Sequence, residues 1–482
     1  MFIRGRPLVF EVKEEFVMPL RAPIVMKFGG TSVADARAFE SVARIIAAHI
    51  GLHPVVIVSA MSGMTDALVT SADYAEKGRV SIAVASLDEV FRRHRIVAKE
   101  ILGNEHSTDA IAKIDKTAAE VARLLQRIHQ EPAEGKSLRD ELLSSGELLS
   151  SDLLAQALPK QGVLAQQVDP RQCILTNDEH GCAAPSLAET FLKTDAVLAP
   201  FLETGVIPVL GGFVGATASG ATTTLGRGGS DYSAALIGAA LGASEIQIWT
   251  DVTGVLTADP RVVPTAQTIQ SLSYGEAAEL AYFGAKVLHP KTIQPAIEGG
   301  IPVRICNSRA PEEPGTLVCA QTETSPRTVK AIAHKAGLTT VQITSARMLG
   351  AYGFLRALFE VFERHRTAVD VVTTSEVSVS LSLDDASALP AIVTELQELG
   401  SVRIEKGRAI ICVVGEGLGR TPGIAARVFS TISDINVTLI SQGASSINLT
   451  FAIEEEHVHE AVTRLHEAFF GQSNVNARPA KY

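Results

Sequence analysis

The chain has 482 residues, 46% of them hydrophobic and 20% charged, with a mean hydropathy of +0.20. That is enough for about three domains of ~150 residues and too apolar for a disordered polymer. Its 43 Lys and Arg against 53 Asp and Glu give a net charge of −10, which argues against a nucleic-acid wrapper or a basic membrane-surface protein. No apolar run approaches the ~18 residues of a membrane span. Residues 1–22 mix Glu and Lys among short apolar pieces and lack a continuous apolar core, so they read as an extension rather than a signal peptide. Five scattered cysteines without a CxxC point to a reduced, cytoplasmic home.

From residue 23 to about 310, short β-rich runs alternate with helical stretches, the signature of an α/β sheet. PIVMKF is a first strand leading to Gly29-Gly30-Thr31-Ser32. A helix follows, with Phe39, Val42, Ile45 and Ile46 at helical spacing. HPVVIVSA is a second strand, with a glycine turn and a helix from Thr65. Residues 80–160 stay helical, with Leu124, Leu125 and Ile128 on one face, and read as a helical insert. VIPVLGGF, the helix SDYSAALIGAALGA, the strand EIQIWT and IPVRIC complete the domain. Segment 311–330, rich in Pro, Thr and Glu, reads as a linker. Beyond it, GFLRALFEVFERH with its two following strands resembles GIAARVFSTISD with its own two. Gly353 and Gly423 open the copies seventy residues apart. Two tandem small units, 331–400 and 401–482, follow from that repeat.

Four segments carry chemistry. Lys27 precedes Gly29 and Gly30 at a strand end, where backbone N–H groups can approach a phosphate and a helix start adds positive potential. The same residues also suit an ordinary glycine turn with a surface lysine. Thr222 to Tyr232 repeats the arrangement, with Arg227 able to fork onto a carboxylate or phosphate and Ser230 or Asp231 expected as helix N-cap. Trp249-Thr250-Asp251 and Asp259-Pro260-Arg261 follow a strand end, where open α/β sheets bind ligands; the second could be only a turn. Phe283 to Pro290 contains Lys286, which alone reads as a solvated lysine, and Glu147 alone reads as a surface glutamate on a helix turn. Gly135-Lys136-Ser137 lacks the upstream glycine of a P-loop, Gly415 to Gly419 has the wrong spacing for a dinucleotide fingerprint, and no compact metal-ligand set is evident.

Together, the stretches beginning at Lys27, Gly226, Trp249, Asp259 and Phe283 resemble, in order, the motifs of aspartokinases of the amino acid kinase superfamily. The repeated C-terminal units resemble ACT domains, and the whole is similar to the monofunctional, lysine-sensitive type. The resemblance implies a three-layer α/β/α kinase domain over 23–310 and two ferredoxin-like (βαββαβ) ACT units, one inserted within the other in the family, which lets the strand near Val329–His334 belong to the second. It implies phosphorylation of L-aspartate by Mg-ATP to 4-phospho-L-aspartate, the first step toward lysine, threonine and methionine. By the same resemblance Lys27 and Asp231 are catalytic, and Ser59, Thr65, Glu147, Arg227 and Ser230 hold aspartate, Glu147 through the α-amino group and Arg227 through the α-carboxylate. Lys27, Gly29, Gly30, Thr31, Thr250, Asp251, Leu256, Asp259, Arg261, Lys286 and Val287 are assigned to the nucleotide, with Leu256 standing where many members carry tyrosine.

An L-lysine effector site is implied around Met348, Ala351, Gly353, Phe354, Leu355, Val369, Asp370, Thr374, Ser375 and Glu376. Asp370 pairs there with a ligand ammonium, although Gly350-Ala351-Tyr352 departs from the more polar stretch of that subgroup. A homodimer through the ACT units is implied, or a dimer of dimers, with no nucleic-acid or membrane partner. Another kinase of the superfamily and a silent amino-acid sensor are the rival readings. The ACT pair disfavours the first, and the presence of Lys27, Asp231 and Lys286 disfavours the second.

Overall fold

The computed structural model describes residues 22–284, 288, 290–321 and 327–471. Its N-terminal half is one eight-stranded sheet and a small hairpin. In chain order the strands are β1 (Ile24–Phe28), β2 (Pro54–Val58), β3 (Ala165–Val168), β4 (Ile207–Gly211), the hairpin β5 (Val214–Ala216) and β6 (Thr222–Thr224), β7 (Glu245–Thr250), β8 (Ser271–Ser273), β9 (Val303–Asn307) and β10 (Thr316–Cys319). The sheet order is β3-β4-β2-β1-β7-β9-β10-β8, parallel from β3 through β9.

Strand alternation sorts the core into two layers. Met26, Phe28, Val56 and Val58 face one cluster with helices Ala36–Ala48, Met64–Glu76, Asp88–Leu102, Thr108–Gln130 and Gly135–Ala157. Val25, Val55, Ile57, Ile246 and Ile248 face the other, which includes helix Gly229–Ala240. Both faces are covered, so the central strands read as continuous apolar runs. The chain leaves β1 toward β2 on one side and returns to β7 on the other. The crevice beyond the C-terminal ends of β1 and β7 is therefore the topological switch point where such sheets take ligands.

The segment read as a linker is not all linker: β10 lies within it, antiparallel to β9 and parallel to β8. Buried Thr316 and Val318 alternate with the half-buried Leu317 and Cys319, and that pattern fixes the strand.

The C-terminal half is built on a single six-stranded sheet. Its strands are β11 (Ala331–Thr344), β12 (Val372–Thr374), β13 (Ser378–Leu383), β14 (Ser401–Val414), β15 (Leu439–Gln442) and β16 (Asn448–Glu454), ordered β12-β13-β11-β14-β16-β15. The two long strands belong to both units. Ala331–Lys335 pairs with Ile410–Val414 beside β16, whereas Thr340–Thr344 pairs with Ser401–Glu405, and Thr339–Thr344 also pairs with β13. The chain division at residue 400 thus runs through a shared sheet, because register shifts between Lys335 and Thr340 let one strand serve two cores. Gly353 and Gly423, at φ 84° and 83°, cap the equivalent helices Phe354–Arg364 and Ile424–Thr431. Both conformations lie in the left-handed region that favours glycine, which is why the repeat begins on that residue.

Candidate active site

The cleft forms where β1, β2, β4 and helix Gly229–Ala240 meet. Lys27 leaves the end of β1, and its Nζ lies 2.7 Å from Asp231 Oδ1, both side chains less than one-fifth exposed. Asp231 is in the first turn of its helix, and Gly228, not Ser230 or Asp231, is the N-cap. The expected cap role fails because the left-handed Gly228 starts the helix earlier, freeing both side chains to face the cleft. Gly30 admits no side chain: a Cβ there would stand 2.8 Å from the Ala60 carbonyl oxygen. The turns after β1 and β2 therefore pack backbone to backbone, leaving N–H groups to line the floor.

One cleft of about 530 Å³ gathers Lys27, Gly30, Ser59, Thr65, Glu147, Arg227, Ser230 and Asp231. Gly29 donates its N–H to the Trp249 carbonyl, and Thr31 is exposed on the turn beyond. Glu147 is not a surface residue. It lies in the middle of helix Gly135–Ala157, only 4% exposed, with Oε2 buried and unpaired among the described residues. Burial pushes its carboxyl pKa up to about 8, against the N–H groups of its own backbone and Ala60.

A second cleft, about 380 Å³, follows β7. Leu256, Asp259 and Arg261 line it together with Val252, Leu280, Gly284, Ile332 and His334. Asp259 and Arg261 pair with each other at 2.6 Å, and the guanidinium beside Asp259 holds its carboxyl below the usual range. Thr250 and Asp251 occupy the β7 end, next to the β1 end that carries Lys27. Lys286 and Val287 lie outside the described residues.

Sequence reasoning missed several lining residues. Phe213 lines the first cleft at φ 69°; the Gly211-Gly212 pair before it is the signal, a second double glycine at a strand end. Arg93, from the helical insert, donates to the carbonyls of Ser62 and Ala34, 3.2 Å each, and so ties the two floor turns together. His334 reaches the second cleft from strand β11 of the C-terminal sheet. Burial lowers its pKa, opposed by Asp259.

The residues assigned to the effector are brought only partly together. Met348, Ala351, Gly353, Phe354 and Leu355 surround the start of helix Phe354–Arg364. Thr374, Ser375 and Glu376 form the exposed turn from β12 to β13. Val369 packs on the core of the first unit. The Asp370 carboxylate already faces the N-terminal half, accepting from the Tyr282 hydroxyl and lying 3.8 Å from Lys335 Nζ.

The Amino acid kinase family profile matches residues 22–307, and an ACT domain profile matches 411–469. The lysine-sensitive aspartokinase 3 of Escherichia coli is 39% identical over 460 residues, 93% of this chain and 99% of that one. The chain belongs to the aspartokinase branch of the amino acid kinase family. A solved structure of E. coli aspartokinase III with aspartate and ADP superposes at TM-score 0.77 with 37% identity, covering 93% of this chain and all of that one. A second, with lysine and aspartate in the T-state, gives the same score over 93% and 99%. This aspartokinase shares the overall architecture of both structures.

Proposed function

We propose that this aspartokinase transfers the γ-phosphoryl group of ATP to the β-carboxylate of L-aspartate, giving ADP and 4-phospho-L-aspartate. The observation that carries the reading is the single cleft in which the Lys27–Asp231 pair faces Arg227 and Glu147. The acceptor is already anionic near neutral pH, so no strong base is required. Two anions must instead be brought together, which calls for cations and N–H donors around the phosphoryl oxygens. Lys27, oriented by Asp231, supplies the cation, and the packed floor turns supply the amides. Arg227 grips the α-carboxylate, Glu147 the α-ammonium, and Ser59, Thr65 and Ser230 complete the aspartate cleft. The nucleotide extends from Lys27, Gly29, Gly30 and Thr31 past Thr250 and Asp251 into the cleft of Leu256, Asp259 and Arg261. The apolar Leu256 offers the base a packing surface rather than a phenol.

Lys27 and Arg227 suit phosphate and carboxylate oxygens rather than a bare metal, so Mg²⁺ fits as a counter-ion carried by the nucleotide. When bound it neutralises phosphate charge. Among the described residues, the three-residue group able to share an ion, Glu454, Glu456 and His457, belongs to the regulatory half.

Feedback by L-lysine at the first ACT unit is part of the proposal, with Asp370 receiving the ligand ammonium. A second copy of the chain is the proposed partner. The regulatory half exposes Leu349, Tyr352, Leu355, Phe359, Val372, Val377, Ile404 and Ile440 among the described residues, apolar surface that a second copy would cover. Five free cysteines support a reducing, cytoplasmic compartment.

The test is ADP release from Mg-ATP with and without L-aspartate and millimolar L-lysine. Aspartate-dependent turnover suppressed by lysine is expected. Turnover without aspartate dependence would overturn the substrate, and turnover indifferent to lysine would overturn the effector.

A further inference from the structure

Asp140 lies outside the cleft lining, yet it is 1% exposed and ringed by hydrogen-bond donors. Its carboxylate accepts from Thr224 Oγ1 at 2.5 Å, from His180 Nδ1 at 2.8 Å and from the Gly181 N–H at 3.0 Å. Those donors come from two separate segments. Thr224 ends β6, three residues before Arg227. His180 and Gly181 belong to the loop that underlies the same turn: Ala183 N–H donates to the Thr224 carbonyl at 2.9 Å, and a Cβ on Gly226 would stand 3.2 Å from Cys182 Sγ. Asp140 also shares helix Gly135–Ala157 with Glu147, seven residues on. That interval is about two turns, so both side chains leave one face of the helix.

We propose that Asp140 is a positioning residue that holds the Arg227 turn at a fixed distance from Glu147, so that the carboxylate and ammonium of one α-amino acid are gripped together. The inference rests on the proposed roles of Glu147 and Arg227. Arg227 is exposed and long, and its guanidinium cannot be preorganised by its own packing. The turn beneath it can be, and a buried carboxylate with three donors is a stiff anchor. Preorganisation of this kind sets affinity for the gripped ligand, not the chemistry at its far carboxylate.

The experiment compares kcat, the aspartate KM and the ATP KM of the full chain with those of Thr224→Val, Thr224→Ser, Asp140→Asn and Arg227→Ala. Thr224→Val removes one donor while keeping the side chain's shape. It is expected to raise the aspartate KM about fivefold, the worth of one net hydrogen bond, with kcat and the ATP KM within about twofold. Thr224→Ser restores the donor and returns the aspartate KM toward the wild-type value. Asp140→Asn gives a larger rise of the same kind; where it fails to fold, the two Thr224 variants decide. An unchanged aspartate KM in Thr224→Val overturns the proposal, as does a parallel loss in all three constants, the mark of a merely structural role. An Arg227→Ala variant with unchanged aspartate KM removes the grip itself and the inference with it. A raised KM there with none in Thr224→Val overturns the positioning alone.

Discussion

On the proposed role of Glu147, aspartate binding in the cleft is expected to be linked to proton release. In the empty protein its carboxyl titrates near pH 8, because burial disfavours the charged form more than its backbone N–H contacts favour it. An incoming α-ammonium reverses that balance, so near neutral pH aspartate must displace a proton from Glu147. Ionising the group costs ~1.4 kcal/mol at pH 7 and ~2.7 kcal/mol at pH 6, from 1.36 kcal/mol per pH unit below its pKa. The aspartate KM at saturating Mg-ATP is therefore expected to fall about tenfold per unit as pH rises from 6 toward 8, then to level off. Calorimetry in two buffers of different ionisation enthalpy should record about one proton released per aspartate at pH 7. Glu147→Gln should remove the pH dependence and raise the KM on the plateau ten- to a hundredfold, the range of about 1.5–3 kcal/mol for a hydrogen bond to a charged group. A wild-type KM flat between pH 6 and 8, with no proton release, would refute the reasoning. Stability supplies an independent sign. The folded pKa exceeds the ordinary 4.5, so the contribution is fully present below pH 4.5 and is lost as pH rises through about 8. The loss is bounded by ~5 kcal/mol, and Glu147→Gln should gain thermal stability relative to the wild type between pH 6 and 9.

Other contacts give separate expectations. Lys27→Ala should lower kcat by on the order of 10²-fold or more, the usual cost of losing one transition-state cation or donor, with the aspartate KM changed far less; near-wild-type initial rates would contradict its role. Tyr282→Phe removes the hydroxyl donated to Asp370, leaving that carboxylate freer for a ligand. Half-inhibition by lysine is then expected at about fivefold lower concentration, for a hydrogen bond worth ~1 kcal/mol; an unchanged inhibition curve would separate Tyr282 from regulation. Lys330→Met leaves Glu276 charged and buried at a 2.8 Å pair whose side chains are 5% and 0% exposed. Urea unfolding should show a loss of ~3–5 kcal/mol, partly recovered by adding Glu276→Gln.

The parts of the molecule legible in sequence are those where one residue type answers one physical demand. The glycines after β1 are readable because a side chain at Gly30 would meet the Ala60 carbonyl. The C-terminal repeat is readable because both copies need a left-handed residue ahead of an amphipathic helix. Glu147 was hidden for the opposite reason. Its helix is buried over most of its length, and three of its serines donate to carbonyls three residues back, Ser144 to Glu141, Ser145 to Leu142 and Ser151 to Leu148. A polar sequence is thereby made compatible with a core, and the surface reading follows from the polarity. The shared strand β14 was also hidden. Its first half is exposed and polar and its second half buried, so the sequence presents a loop followed by a strand where the fold has one continuous element.

Helix Tyr274–Tyr282 joins the two halves with contacts of unequal strength, and the inequality determines which can move. At its start the buried Glu276 closes the capping box with Ser273, pairs with the buried Lys330 and accepts the Glu416 N–H at 2.7 Å. Farther along, Glu279 accepts from Asn448 at 2.7 Å. At its end Tyr282, half exposed, meets Asp370 beside Lys335, which also pairs with Asp384 at 3.0 Å. Breaking the buried end exposes an uncompensated charge and costs ~3–5 kcal/mol, more than the ~1–3 kcal/mol that an effector typically contributes as coupling. The Tyr282 contact falls inside that range. On the proposed role of Asp370, a ligand ammonium there would therefore release the Tyr282 end of the helix while its start stays fixed.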